Sequence, residues 1–282
     1  MSEYNPTRAS RSLVGKVAIV TGAGAAGDGI GNGRAISILL AEDGCSVVCV
    51  DLDLASAERT AAMVNAEGKG QAIGTQADVT SSDSCKAAVD LALFMYGRVD
   101  ILVNNVGVIG ARGTALEVDE TEWAKGLEIN VTSMMLAARH AVAAMLLNEP
   151  GDGDGGIRGS VVNMGSVAGL RGGTPSLLYP TAKGAVVNMT RAMASQHGGD
   201  GVRVNCVCPG MLYTPMMYNA GGGMTEEMRR SRQSRSLLKT EGNAWDCAAA
   251  VRFLAGGEAR WITGTVLTVD AGATCSTSIE MA

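Results

Sequence analysis

The chain has 282 residues, 46% hydrophobic and 4% aromatic, with a formal net charge of −5. That is enough apolar material for one large α/β core. The acidic balance argues against a nucleic-acid partner, which calls for a basic surface, and apolar runs such as Ala141–Leu147 are too short to cross a bilayer.

The first sixteen residues lack the apolar run of a signal peptide. Residues 1–13 read as a flexible polar tail, with Arg8 and Arg11 among serines a faint hint of a transit peptide. Lys16–Thr21 reads as the first strand and Asn32–Asp43 as a helix stopped by Gly44. Ser46–Asp51 is a strand and Ala55–Glu67 a helix ended by Gly68. Gln71–Ala77 is a less apolar strand, closer to an edge, and Ser81–Tyr96 a helix. Val99–Val103 is a strand, and one long helix fits Glu120–Leu147. Strands at Ser160–Met164, Val202–Val207 and Val266–Val269 alternate with helices at Tyr179–Gln196 and Ala244–Ala255. This alternation predicts a doubly wound parallel sheet of about seven strands with helices on both faces, one domain over residues 14–282. Ligands of such sheets bind along the edge formed by the strand C-termini. Two insertions stand out: Asn148–Gly159, a Gly/Asp-rich surface loop, and Met211–Lys239, a lid at about residues 211–240.

The seven cysteines are odd in number and form no C-x-x-C. They read as small buried residues of a reducing, cytoplasmic compartment. Cys206 and Cys208, two apart, would face the same side of a strand. With only two histidines, neither a His-based metal site nor a Ser-His-Asp triad is supported, and no metal is expected.

After the first strand comes TGAGAAGDGIGNGRA. Glycines let a backbone bend tightly and approach a pyrophosphate, and the following helix points free N–H groups at it. Gly22, Gly31 and Gly33 best frame the turn, with Asn32 between the last two. Asp51 closes the second strand, with Leu52 beside it and Asp53 adding charge. A carboxylate there accepts hydrogen bonds from ribose hydroxyls and repels a 2′-phosphate. NAD is therefore preferred over NADP, although Arg34 is a cation within reach of a 2′-phosphate.

Ser166, Tyr179 and Lys183 follow the order S-x12-Y-x3-K. Free tyrosine titrates near pH ~10. A lysine one helical turn away would stabilise the phenolate and lower that value, and Ser166 can hold a substrate oxygen.

These features, with Asp78-Val79, Asn104-Asn105-Val106-Gly107, Asn130, Pro209-Gly210 and Ile262-Thr263-Gly264, resemble the short-chain dehydrogenase/reductase family over roughly residues 14–275. The resemblance implies a Rossmann-type fold and a dinucleotide cofactor. It makes Tyr179 the acid–base residue, Lys183 also a partner of the nicotinamide ribose, Ser166 the holder of the substrate oxygen, and Asn130 the support of a relay water. Asp78 would contact adenine and Val79 its face. Asn104, Val106 and Gly107 would line the cofactor, and Pro209, Gly210 and Thr214 would seat the nicotinamide. It also implies a homo-oligomer, a dimer or tetramer built from paired long helices. The sequence departs from the family in Val106, where alanine is usual, and in a glycine turn longer by about five residues on this alignment.

Arg229, Arg230, Arg232 and Arg235 read as a solvated helix face, or as a site for an acidic or phosphopantetheine-linked substrate. Met211, Met216 and Met217 fit lid packing or an apolar substrate equally. The expectation is a hydride transfer between nicotinamide and the CH–OH or C=O group of a small to medium-sized alcohol or ketone. An NADPH-dependent biosynthetic ketoreductase and a catalytically dead dinucleotide-binding regulator are the alternatives.

Overall fold

β-Branched residues dominate the short apolar segments, and in the computed structural model, described for residues 8–150, 155–219 and 223–276, each such segment is a strand of one sheet. The elements in chain order are β1 (Val17–Thr21), α1 (Asn32–Glu42), β2 (Ser46–Asp51), α2 (Leu54–Glu67), β3 (Gln71–Gln76), α3 (Ser82–Tyr96) and β4 (Ile101–Asn104). There follow α4 (Glu120–Leu127), α5 (Ser133–Met145), β5 (Gly159–Met164), α6 (Leu178–His197) and β6 (Val202–Pro209). Last come α7 (Pro215–Tyr218), α8 (Glu226–Ser234), α9 (Ala244–Ala255) and β7 (Val266–Val269). The strands pair in parallel in the order β3-β2-β1-β4-β5-β6-β7. The order reverses at β1, so the loops after β1 and β4 part there and open a crevice.

Both sheet faces are covered. Ile36, Leu40, Val251 and Leu254 of α1 and α9 pack on one, and Val89, Ala92, Ala137 and Ala141 of α3 and α5 on the other. That explains why the inner strands are apolar throughout. Side-chain oxygens of Asp53, Ser81 and Asp119 cap α2, α3 and α4, and left-handed Gly68 and Gly97 end α2 and α3.

Several expectations are corrected. The helix expected over Glu120–Leu147 is three pieces: α4, a π-turn at Glu128–Thr132, and α5. At the break Asn130 is fully buried, and its side-chain amide donates to the carbonyls of Gly126 (2.9 Å) and Val108 (3.0 Å). A side chain that competes for the helix's own carbonyls favours the wider turn. β4 begins at Ile101 rather than Val99; just before it, buried Asp100 bonds through its backbone to Val17 and Ser160 and through its carboxylate to the N–H of Val17 (2.9 Å) and to Arg98. Of the expected tail, residues 1–7 lie outside the described residues, but Leu13 is 3% exposed and packs in the core. Of the loop Asn148–Gly159, residues 151–154 lie outside the described residues; buried Asn148 ties its base to the carbonyls of Val99 and Arg158. Residues 220–222 of the expected lid also lie outside them.

Candidate active site

The glycine turn leaves the end of β1 at Gly22, whose φ of 62° suits glycine. Asn105, just past β4, donates to the carbonyls of Thr21 (3.2 Å) and Gly22 (2.9 Å) and so locks the turn across the crevice. A Cβ on Gly33 would collide with the Gly22 carbonyl, so glycine is what lets α1 start against the strand end. Gly31 is the N-cap of α1 and offers no side-chain cap, which leaves first-turn N–H groups open to an anion. Next to it, Oδ1 of Asn32 is buried without a partner.

Arg34 overturns its expected reach toward a 2′-phosphate. It is fully buried, and its guanidinium donates to Thr60 Oγ1 (2.9 Å) and to the carbonyls of Gly27 (2.9 Å), Gly29 (2.6 Å) and Ala25 (3.3 Å). Its charge shapes the turn from inside.

Beside the turn lies a cavity of about 350 Å³, lined among others by Gly24, Gly27, Asp51, Ser56 and Arg59. Asp51 accepts the N–H groups of Gly24 (2.8 Å) and Asp53 (3.1 Å), which fixes its carboxylate at the cavity wall. A Cβ on Gly24 would lie 2.7 Å from Asp51 Oδ2, so only glycine leaves this wall open. Leu52 is 66% exposed at the rim. Further along the edge, Asp78 accepts the N–H (2.9 Å) and hydroxyl (2.7 Å) of Thr80, and these bonds hold its carboxyl below the ordinary range. Val79 is buried beside it.

Asn104 does not face this edge with its side chain. It is buried and donates to Asn163 Oδ1 (2.9 Å) and the Met134 carbonyl (3.1 Å), joining β4 to β5 and α5. Val106 packs on Gly22, and a Cβ on Gly107 would sit 2.9 Å from Lys183 Nζ and 3.1 Å from Asn130 Oδ1. Gly107 is thus the gap through which Lys183 and Asn130 approach each other. Gly210 packs against Asp270, while Pro209 ends β6 and Thr214 caps α7.

Ser166 follows β5, with its hydroxyl accepting the Ala168 N–H (3.1 Å), and it is the group that lowers the Tyr179 phenol. Tyr179 and Lys183 lie on one face of α6, with Nζ 5.9 Å from the tyrosine ring centroid. The ammonium is 3% exposed and donates to the Met164 carbonyl (2.8 Å). Burial pulls it down to about 8, with the thiols of Cys206 and Cys208 opposing. The lysine was expected to lower the tyrosine. Instead burial raises Tyr179 above its ordinary range, the bond with Ser166 partly offsets this, and Cys208 adds to the rise. Lys183, whose ammonium is spent on the Met164 carbonyl, is not among the groups that lower the tyrosine, so desolvation sets the direction.

Sequence reasoning did not single out Gly24 or Asn105, though both lie inside motifs it quoted. It did expect Cys206 and Cys208 to face the same side of a strand, but not that they would lie beneath the site. The thiols of Cys206 and Cys208 lie 3.7 Å apart, and a Cβ on Gly165 would come within 2.7 and 2.6 Å of them. Above the turn, a Cβ on Gly29 would lie 2.8 Å from Pro215 and 2.9 Å from the Tyr218 hydroxyl, so α7 rests on the glycine turn. Tyr218 contacts Tyr213 (5.1 Å between centroids), and Arg229 lies over Tyr213 at 4.0 Å.

The orphaned Asn32 oxygen, the uncapped start of α1 and the glycine-walled cavity with its carboxylate suit a dinucleotide. Comparison with known proteins agrees. Residues 24–274 match the family described as Enoyl-(Acyl carrier protein) reductase. The chain is 38% identical to 2-(S)-hydroxypropyl-CoM dehydrogenase 3 of Xanthobacter autotrophicus, covering 94% of this chain and 99% of that one. It is 34% identical to meso-2,3-butanediol dehydrogenase of Serratia marcescens, covering 93% and 95%. A crystal structure described as that of a short-chain dehydrogenase/reductase from Burkholderia xenovorans superposes with a TM-score of 0.84 at 40% identity, covering 96% of this chain and all of that one. Fold, site and relatives converge: the chain belongs to the short-chain dehydrogenase/reductase family, and its reaction is hydride transfer between a nicotinamide cofactor and a CH–OH or C=O group.

Proposed function

We propose an NAD(H)-dependent dehydrogenase/ketoreductase of small to medium-sized secondary alcohols and ketones, with Tyr179 as its acid–base residue. The observation that carries this reading is the grouping of Ser166, Tyr179 and buried Lys183 at the same sheet edge as Asp51. Relatives named for 2-(S)-hydroxypropyl-CoM and for meso-2,3-butanediol support the substrate class.

When bound, the nicotinamide supplies or accepts the hydride. The chain supplies the rest. The hydroxyls of Ser166 and Tyr179 hold the substrate oxygen, and Tyr179 gives it a proton in reduction or takes one in oxidation. A phenol raised by burial stays protonated at neutral pH, as reduction requires. Lys183, whose ammonium abuts Gly107, would hold the nicotinamide ribose and keep positive charge beside it. The Asn130 amide is spent on Gly126 and Val108, so it fixes the π-turn and any part in a proton relay falls to its backbone. Gly22, Gly31, Asn32 and Gly33 would hold the pyrophosphate, Asp51 and Leu52 the adenosine ribose, and Asp78 and Val79 the adenine. Val106, Gly107, Pro209, Gly210 and Thr214 would seat the nicotinamide, with Asn104 contributing only main chain.

Residues 211–240 would act as the substrate lid of a single domain. Among the described residues no helix is long and apolar enough to cross a membrane, and six of the seven cysteines are buried free thiols, which supports a reducing cytoplasmic setting. Assembly as a dimer or tetramer completes the reading. The deciding experiment is a screen of alcohols and ketones with NAD⁺ and NADH, followed by nicotinamide absorbance. No turnover by the wild type, or full turnover by Tyr179→Phe, would overturn it.

A further inference from the structure

With Arg34 spent inside the glycine turn, Arg59 on α2 is the one cation among the described residues lining the cavity beside Asp51. A free guanidinium there would be a ready partner for a 2′-phosphate, since its planar fork matches phosphate oxygens. Its fork is not free. Nη1 of Arg59 donates to Asp28 Oδ1 at 2.7 Å. Asp28 belongs to the extra length of the glycine turn, so the insertion delivers a carboxylate to the cavity rim. The other polar group of the wall, Ser56, is also engaged: its hydroxyl accepts the Ala25 N–H (2.9 Å) and donates to the Ala25 carbonyl (3.0 Å). A ribose 2′-hydroxyl entering here meets a fixed acceptor in Asp51. A 2′-phosphate meets the charges of Asp51 and Asp53 and a cation already neutralised.

We propose that Asp28 is a cofactor-selectivity residue that acts through Arg59: by pairing with this guanidinium it withholds the cation an NADP 2′-phosphate needs. This rests on placing the adenosine ribose beside Asp51. Asp28 touches neither reacting atoms nor the ribose, so it is a positioning residue. Both partners are surface groups, with side chains 81% and 49% exposed, so substitutions there leave the fold intact.

The test is calorimetric titration of NAD⁺ and NADP⁺ into the wild type, Asp28→Asn, Arg59→Ala and the double variant. Asp28→Asn should tighten NADP⁺ relative to NAD⁺ by about fivefold, the scale of an exposed ion pair. The double variant should show no such gain, and ~0.5 M salt should shrink it in Asp28→Asn. An unchanged ratio in Asp28→Asn overturns the proposal. So does a gain that persists without Arg59, because the effect would then be simple loss of negative charge. Tighter binding of NADP⁺ than NAD⁺ by the wild type would instead sink the reading of Asp51, while the shift between variants still judges Asp28.

Discussion

The glycine turn and the proposed lid, which carries the short helices α7 and α8, follow strands β1 and β6 respectively at the C-terminal edge of the sheet, and they are held in opposite ways. The turn is wrapped around a buried guanidinium: Arg34 collects three of its carbonyls, and Thr60 links that cluster to the Ala23 carbonyl (2.9 Å). Among its described residues the proposed lid has no such centre. α8 buries none of its residues and is fastened by the Arg229–Glu241 pair, the Arg229–Tyr213 stack and one bond from Arg232 to the Leu212 carbonyl. A cofactor that stays through the chemistry gains from a preformed cradle, whereas a substrate entrance must open, and weak surface pairs allow it to.

The largest effect is expected at the proton donor that both regions serve. Tyr179→Phe removes the proton donor and should lower kcat by about 10³-fold. The preformed cradle predicts that its Kd for NAD⁺, measured by titration, stays within about twofold. A large loss of cofactor affinity would show that the two halves are not separable. Next comes Arg34→Met, which strands the carbonyls of Ala25, Gly27 and Gly29. It should cost about 3 kcal/mol in urea unfolding and weaken NAD⁺ at least ~10-fold. A loss under ~1 kcal/mol would break the comparison, because the turn would then hold its shape without its centre.

Lys183→Met sharpens the comparison through pH. The folded ammonium titrates at about 8 against an ordinary 10.5, so between these values the unfolded chain binds the extra proton. Wild-type stability therefore gains a contribution as pH rises through that window, and the cost of the buried charge is full below it. At pH ~7 the methionine variant should be more stable by about 3 kcal/mol, and the gap should close by pH ~10.5. Thermal melts across that range would show it; a constant gap would mean that burial does not penalise the lysine. The smallest effect is expected in the lid. Arg229→Ala should change global stability by less than ~1 kcal/mol yet raise substrate KM a few-fold and speed proteolysis within residues 211–240. A loss as large as that of Arg34→Met would mean the lid is anchored as firmly as the turn.

Much of this was legible in the sequence. The strands announced themselves because burial on both faces demands β-branched runs, and Gln71–Gln76, with fewer apolar side chains, is indeed the sheet edge. The order of the glycine turn, Asp51, Ser166, Tyr179 and Lys183 pointed to one sheet edge because a parallel doubly wound sheet brings such loops together. What stayed hidden depends on contacts across the chain. Arg34 looks like any helix arginine until carbonyls five to nine residues back in the turn close on it, and no periodicity records that. The π-turn depends on Val108 offering a carbonyl to Asn130 from 22 positions away. The raised tyrosine depends on where Lys183 points, and a four-residue spacing fixes only the face it occupies.

One consequence follows from the register of the sheet. Because every strand runs the same way, the connection from α5 into β5 lies at the end opposite to Ser166, and Asn148 and Arg158 pin its two feet to each other. Gly155 and Gly156, exposed beside those feet, are a natural attachment point: a fluorescent label or a fused carrier joined there should leave turnover untouched, and the enzyme could be tethered to a support with its mouth facing away.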